Sequence, residues 1–171
     1  MESIRSWFTQ GPFEGKYVQD AIISTQSPTP RPWKILRVIN EHYNRGKIGR
    51  LSFATIRLEC RQGDICAPQS PHTEIRVYLQ VPYFNTELDA SDKRAEQAMD
   101  FQPNEFKAYK MITADESVSQ FTRKLLGYEE GEQEDWGLVP GGFHVTIVWE
   151  ILPGVRLGGT GQTLRETVLE T

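Results

Sequence analysis

Residues 75–81, Ile-Arg-Val-Tyr-Leu-Gln-Val, carry aliphatic side chains at every odd position and polar or aromatic ones at every even position. A period of two belongs to extended chain with one face buried. The fold must therefore contain a sheet with a covered face. Two further segments share the bias. Trp33–Ile39 is rich in β-formers, and Leu51–Leu58 puts Leu51, Phe53 and Thr55 on one side. The connections HYNRGKIGR and RQGDICAPQSPHT hold the glycines and prolines of turns. Three strands in this order suggest an antiparallel meander. After a polar stretch over 87–100, Pro103 suits the first turn of a helix and Glu105 suits its positive N-terminal end. Glu105, Ala108, Tyr109 and Ile112 then share a face by their spacing.

The last third returns to strands. Lys124–Glu129 is one, and Phe143–Leu152 is the most β-prone run of the chain before Pro153-Gly154 breaks it. The pattern predicts strands over 33–40, 51–59, 74–81, 124–130 and 144–151, with a helix over 103–113. Residues 1–32 end in SPTPRP, whose prolines favour an extended linker. They read as an N-terminal extension in which Trp7, Phe8 and Phe13 are able to dock, and Val18, Ile22 and Ile23 fit a short helix or strand. The domain body is placed at 33–160, and 161–171 at a tail or the start of a following helix.

Composition narrows the function classes. The net charge is −4, with Lys and Arg scattered among acids, so no basic face marks a nucleic-acid partner. No apolar run approaches the ~20 residues that span a bilayer. With no apolar leader at the start, the chain reads as intracellular, in the cytoplasm. Cys60 and Cys66 are too few for a zinc site. They are either two free thiols or a disulfide across a loop. No metal is expected, since His42, His72 and His144 are not spaced as a ligand set. Glu129, Glu130, Glu132, Glu134 and Asp135 read as a solvated turn rather than a cation site, and Tyr128 and Trp149 as core.

The ordered combination of segments resembles a known family. FQPNEFKAYKMI is similar to the αC region of fungal protein kinase-like proteins, and KLLGYEEGEQEDWGLVPGGFHVTIVWEILPGVRLG to their last two N-lobe strands and hinge. The likeness covers roughly residues 33–160. It implies an α+β fold: a kinase-like N-lobe with a five-stranded antiparallel sheet, one main αC-type helix and the N-terminal extension. It also implies a site. Arg76 takes the place of the strand-three lysine and would pair with Glu105, although an edge-strand position facing solvent is the alternative reading of Arg76. Gly46, Lys47 and Gly49 stand for the glycine-rich loop, or make a plain β-turn. Glu150 and Leu152 stand for the hinge. Neither a catalytic loop nor a metal-binding segment follows the hinge. The expectation is therefore a degenerate nucleotide-binding lobe that binds ATP weakly and transfers no phosphoryl group by itself. The alternative is a noncatalytic protein-interaction module, with a partner or a second copy on the hinge-side surface over 150–160.

Overall fold

The computed structural model describes residues 6–9, 11–47, 49–63 and 71–151. After a 3-10 turn at Gly11–Phe13, the order is β1 (Ile22–Thr25), β2 (Arg31–Asn44), β3 (Phe53–Gln62), β4 (His72–Gln80), α1 (Ser91–Ala95), α2 (Asn104–Ala114), α3 (Glu116–Ser119), β5 (Leu125–Glu132) and β6 (Phe143–Glu150). The strands form one antiparallel sheet in the order β1-β2-β3-β4-β6-β5. Register shifts in β2, between Ile35 and Arg37 and between Val38 and Asn40, mark bulges. Bulges bend a strand and increase its twist. The sheet curls until its two edges meet: Ser27 and Tyr128 exchange backbone hydrogen bonds of 3.1 and 2.8 Å. The result is nearly a barrel.

Strand parity then divides the side chains between an inside and an outside. Ala54, Ile56, Leu58 and Cys60 of β3, Ile75, Val77 and Leu79 of β4, and Val148 of β6 face inward with Trp33 and Ile35 of β2. The N-terminal segment plugs this interior with Trp7, Phe8, Phe13 and Tyr17. Each large apolar side chain so buried contributes about 1.5–3 kcal/mol. Where the edges meet, the Trp33 indole donates a 2.9 Å hydrogen bond to Thr25 Oγ1. A Cβ on Gly127 would lie 2.6 Å from that same oxygen, so only glycine lets β5 approach β1 this closely. On the outside, Tyr78, Phe143, Val145, Ile147 and Trp149 form a second apolar cluster with Phe106 of α2.

The kinase-type lobe expected from the resemblance is not what the chain forms. Strands do occur in all five expected segments, but the sheet has six strands and is almost closed on itself. The stretch read as an extension supplies both the additional strand and the aromatic filling of the interior. Among the described residues no helix has the standing of a main αC element. α2 has 11 residues, and α1 and α3 have 5 and 4. Its buried face also differs from the expected one, for Phe106 is its one buried residue and Ala108 is exposed. Phe106 is drawn in by the Tyr128 ring, 4.9 Å away between centroids. No helix among the described residues is long and apolar enough to cross a membrane.

Candidate functional site

The sequence-derived site residues do not converge on one place: they lie on β4, at the start of α2, in the turn between β2 and β3 and at the end of β6. Arg76, on β4, and Glu105, at the start of α2, do meet in a 2.6 Å ion pair. The Tyr78 hydroxyl also donates to Glu105, and the Arg76 guanidinium lies 5.3 Å from the Trp149 ring centroid. Glu74 joins the group through two hydrogen bonds from Arg57, of 3.0 and 2.8 Å, with Arg76 and Arg123 at 3.6 and 3.8 Å. Burial alone would push the Glu74 carboxyl up, but Arg57, then the charges of Arg76 and Arg123, hold it below the usual carboxylate range. Burial and the bond to Glu105 push the Tyr78 hydroxyl up to about 12.

Gly46, Lys47 and Gly49 do not join them. They lie in the turn between β2 and β3, where the Gly46 amide donates to Ser52 Oγ at 2.8 Å and Gly49 has a φ of +79°. Lys47 and Gly49 are exposed. That turn is at the Gln80 end of β4, since Phe53 pairs with Gln80. Arg76 is four residues along β4, ~13 Å away at strand rise. Glu150 pairs with Thr73 at the opposite end, ~23 Å from Gln80. Leu152 lies outside the described residues, as do Cys66 and all of 150–160 beyond Ile151. Cys60 is a buried free thiol, pushed up to about 12 by burial and the nearby Glu59 charge.

A cavity of about 400 Å³ opens on the other, inward side, next to the seam where β1 approaches β5. Its walls come from three places in the chain. The N-terminal plug supplies Phe13, Lys16 and Tyr17. β1 supplies Ile23 and Ser24. β5, β6 and the loop between them supply Glu129, Glu132, Glu134, Trp136, His144 and Thr146. The floor is a Tyr17–His144 pair with 2.8 Å between the hydroxyl and Nε2. Burial, and then the Lys16 charge, push the His144 imidazole down to about 4, so it is neutral at pH 7. Burial and the Glu129 charge push the Tyr17 hydroxyl far up, so it keeps its proton. Whichever partner donates, Nδ1 of His144 has no partner among the described residues and is left as donor or acceptor.

The rim is built with equal care. Gln133 is buried and binds three backbone segments. Its Nε2 donates to the Gln80 carbonyl at 2.8 Å, its Oε1 accepts from Val139 at 3.2 Å, and its amide donates to the Gly142 carbonyl at 2.7 Å. This fixes the loop carrying Trp136, whose indole stays 61% exposed with its ring centroid 6.5 Å from that of Phe13. Lys16 reaches in from the mouth. Its ammonium lies 5.9 and 5.6 Å from the Phe13 and Tyr17 ring centroids. Burial of Lys16 lowers its pKa, which the Glu129 charge partly offsets.

Tyr17, Lys16, His144 and Trp136 have no place in the sequence-derived site. One signal was available: His144 and Thr146 are polar at inward positions of a strand whose next inward residue is Val148. Most of the acidic run is exposed, as a solvated turn would be, and Glu129, Glu132 and Glu134 also line the mouth of the cavity. Among the described residues no cluster of His, Cys, Asp and Glu is arranged to hold a metal ion. No family model, curated protein or solved structure matches the chain.

Proposed function

We propose that this chain is a binding module that takes a small molecule in the cavity beside the seam. The observation carrying this reading is a braced cavity of about 400 Å³ whose floor holds a neutral, half-used imidazole. Ligand sites are concave, fall at about 300–1,000 Å³, and favour the mouths of barrels, where apolar walls surround a few placed polar groups. Phe13, Tyr17, Ile23 and Trp136 give the walls, and His144, Ser24 and Glu129 the polar groups. The curled sheet acts as a rigid frame, and the N-terminal plug sets the depth.

The test is a heteronuclear NMR screen of neutral, cationic and anionic small molecules. Binders are expected to shift Tyr17, the Trp136 indole and His144 together, and Ser24→Trp, which places bulk at an exposed lining position, is expected to abolish those shifts. Shifts confined to the Arg76–Glu105 face, or none with any compound, overturn the reading. Mg-ATP belongs in the same screen, where the expected affinity is no tighter than roughly millimolar. A second reading, a protein-interaction module, draws on three exposed apolar side chains of the helical segment, Met111, Val118 and Phe121. It predicts concentration-dependent light scattering that Phe121→Ser reduces.

A further inference from the structure

The walls of the cavity have a chemistry of their own. Three aromatic rings, of Phe13, Tyr17 and Trp136, meet three carboxylates, of Glu129, Glu132 and Glu134. None of these carboxylates takes part in a side-chain hydrogen bond or salt bridge among the described residues, whereas Glu59, Glu74, Glu87, Glu105 and Glu130 all do. Lys16 is the lining cation. With His144 neutral, the lining charge is one lysine against three glutamates, or −2. An anion entering this cavity meets net repulsion, and a cation meets net attraction.

The structure also places a cation there. The Lys16 ammonium sits over the faces of Phe13 and Tyr17, and Glu129 is the carboxylate whose charge acts on it. Ring faces carry negative potential and attract cations within about 6 Å, and aromatic cages of this kind are how quaternary ammonium groups are recognised. Yet Lys16 is an exposed residue overall, only its ammonium end being partly buried, and it forms no salt bridge within 4 Å among the described residues. A primary ammonium is strongly hydrated and holds a cage poorly. A methylated ammonium has less hydration to lose and more apolar surface to bury against the rings.

Resting on the reading of this cavity as a ligand site, we infer that its ligand is a small methylated ammonium compound, which displaces the Lys16 side chain from the rings of Phe13 and Tyr17. Glu129 then neutralises the incoming charge from the wall of β5. Trp136 closes over the methyl groups from the rim. Nδ1 of His144 serves a hydroxyl or carbonyl elsewhere on the ligand.

The experiment is calorimetric titration with choline and with its neutral carbon isostere, 3,3-dimethylbutan-1-ol. Choline is expected to bind at least about tenfold more tightly than the isostere. Glu129→Gln is expected to weaken choline about five- to tenfold and leave the isostere unchanged. Lys16→Met removes the competitor and is expected to strengthen choline about three- to tenfold. Phosphocholine, which brings an anion to a negative mouth, is expected to bind more weakly than choline. Equal affinity for choline and its isostere overturns the inference, and so does weaker choline binding by Lys16→Met. The two readings fail separately. If neutral or anionic compounds shift Tyr17, Trp136 and His144 while choline does not bind, the cavity is a site and the ligand class is wrong. If no compound shifts them, both readings fall.

Discussion

The same sheet carries two polar clusters, one on each side, and they are built on opposite terms. On the outer side, Arg57, Glu74, Arg76, Glu105 and Tyr78 satisfy one another through short charged hydrogen bonds. Inside the seam, Glu129, Glu132, Glu134 and one nitrogen of His144 are left without partners among the described residues. Half-buried charges are costly unless paired. The outer cluster meets most of that cost internally: both of its carboxylates are paired, and among the described residues it leaves Arg76 Nε without a hydrogen bond. The inner one keeps its charges at a wet mouth, where the cost is small and the capacity to bind is retained. Pairing, more than residue type, separates a structural network from a binding site here.

The comparison makes graded predictions. The largest effect belongs to Glu74→Gln, which leaves Arg57 and Arg76 facing a neutral amide. Removing one partner of a buried pair costs about 3–5 kcal/mol. The arginines retain some exposure, so the expected loss is about 2–4 kcal/mol, read from urea denaturation midpoints. A loss below about 1 kcal/mol would show that the outer network is not structural.

Next is the pH dependence of stability. His144 has a folded-state pKa of about 4, below its unfolded value near 6.5. Between these values the unfolded chain binds a proton that the folded chain refuses, so stability falls as pH drops from about 6.5 to 4 and is unaffected above. The drop is expected to be about 1–3 kcal/mol, allowing for the partial exposure of the ring. Glu59 and Glu74, whose carboxyls are held low, lose their contribution only below the usual carboxylate range near 4.5. Thermal melts across pH 4.5–7.5 should therefore slope in the native chain and flatten in His144→Gln. An unchanged slope would refute a buried neutral imidazole.

Smaller again is Tyr17→Phe, which deletes the hydroxyl on His144 Nε2 and keeps the ring. A hydrogen bond of this kind contributes about 1 kcal/mol. The same variant should raise the His144 pKa or leave it in place, as followed by imidazole NMR shifts. The smallest effect is that of Glu129→Gln on stability, expected within about 0.5 kcal/mol because the carboxylate holds no partner to lose. A larger loss would mean that the inner cluster is structural too, and the contrast with the outer one would fail.

Much of the sheet was legible in the sequence because strands with one buried face write their own period. Ile75, Val77 and Leu79 are inward in the structure as the alternation required, and the pairing of Arg76 with Glu105, expected only from the family resemblance, is present on a sheet that is not a kinase-type lobe. The closure was not legible. It depends on bulges in β2, on a four-residue strand at Ile22–Thr25, and on one glycine at the seam, none of which leaves a periodic trace. The prolines at 28, 30 and 32 suggested a linker, though Pro32 itself sits in β2 opposite Ser24 and the other two lie in the short connection from β1 to β2. The cavity was hidden for the same reason. Phe13, Tyr17, Glu129 and His144 become neighbours only when the two edges of the sheet come together.

The seam between Ser27 and Tyr128 also bears on the order in which the molecule assembles. Its two backbone bonds join residues about 100 positions apart, whereas the hairpins β2–β3 and β3–β4 join near neighbours. Contacts between distant residues carry the larger loop-closure entropy, about (3/2)RT ln n, and form after local ones. The meander is then the early product, and the edge-to-edge bonds are the last act, sealing Tyr17 and His144 inside. Run backwards, the same ordering makes the seam the first place to breathe. Amide exchange at Ser27 and Tyr128 should outpace that of β3 and β4, and the rate of that breathing would set how fast anything bound at the floor is let go.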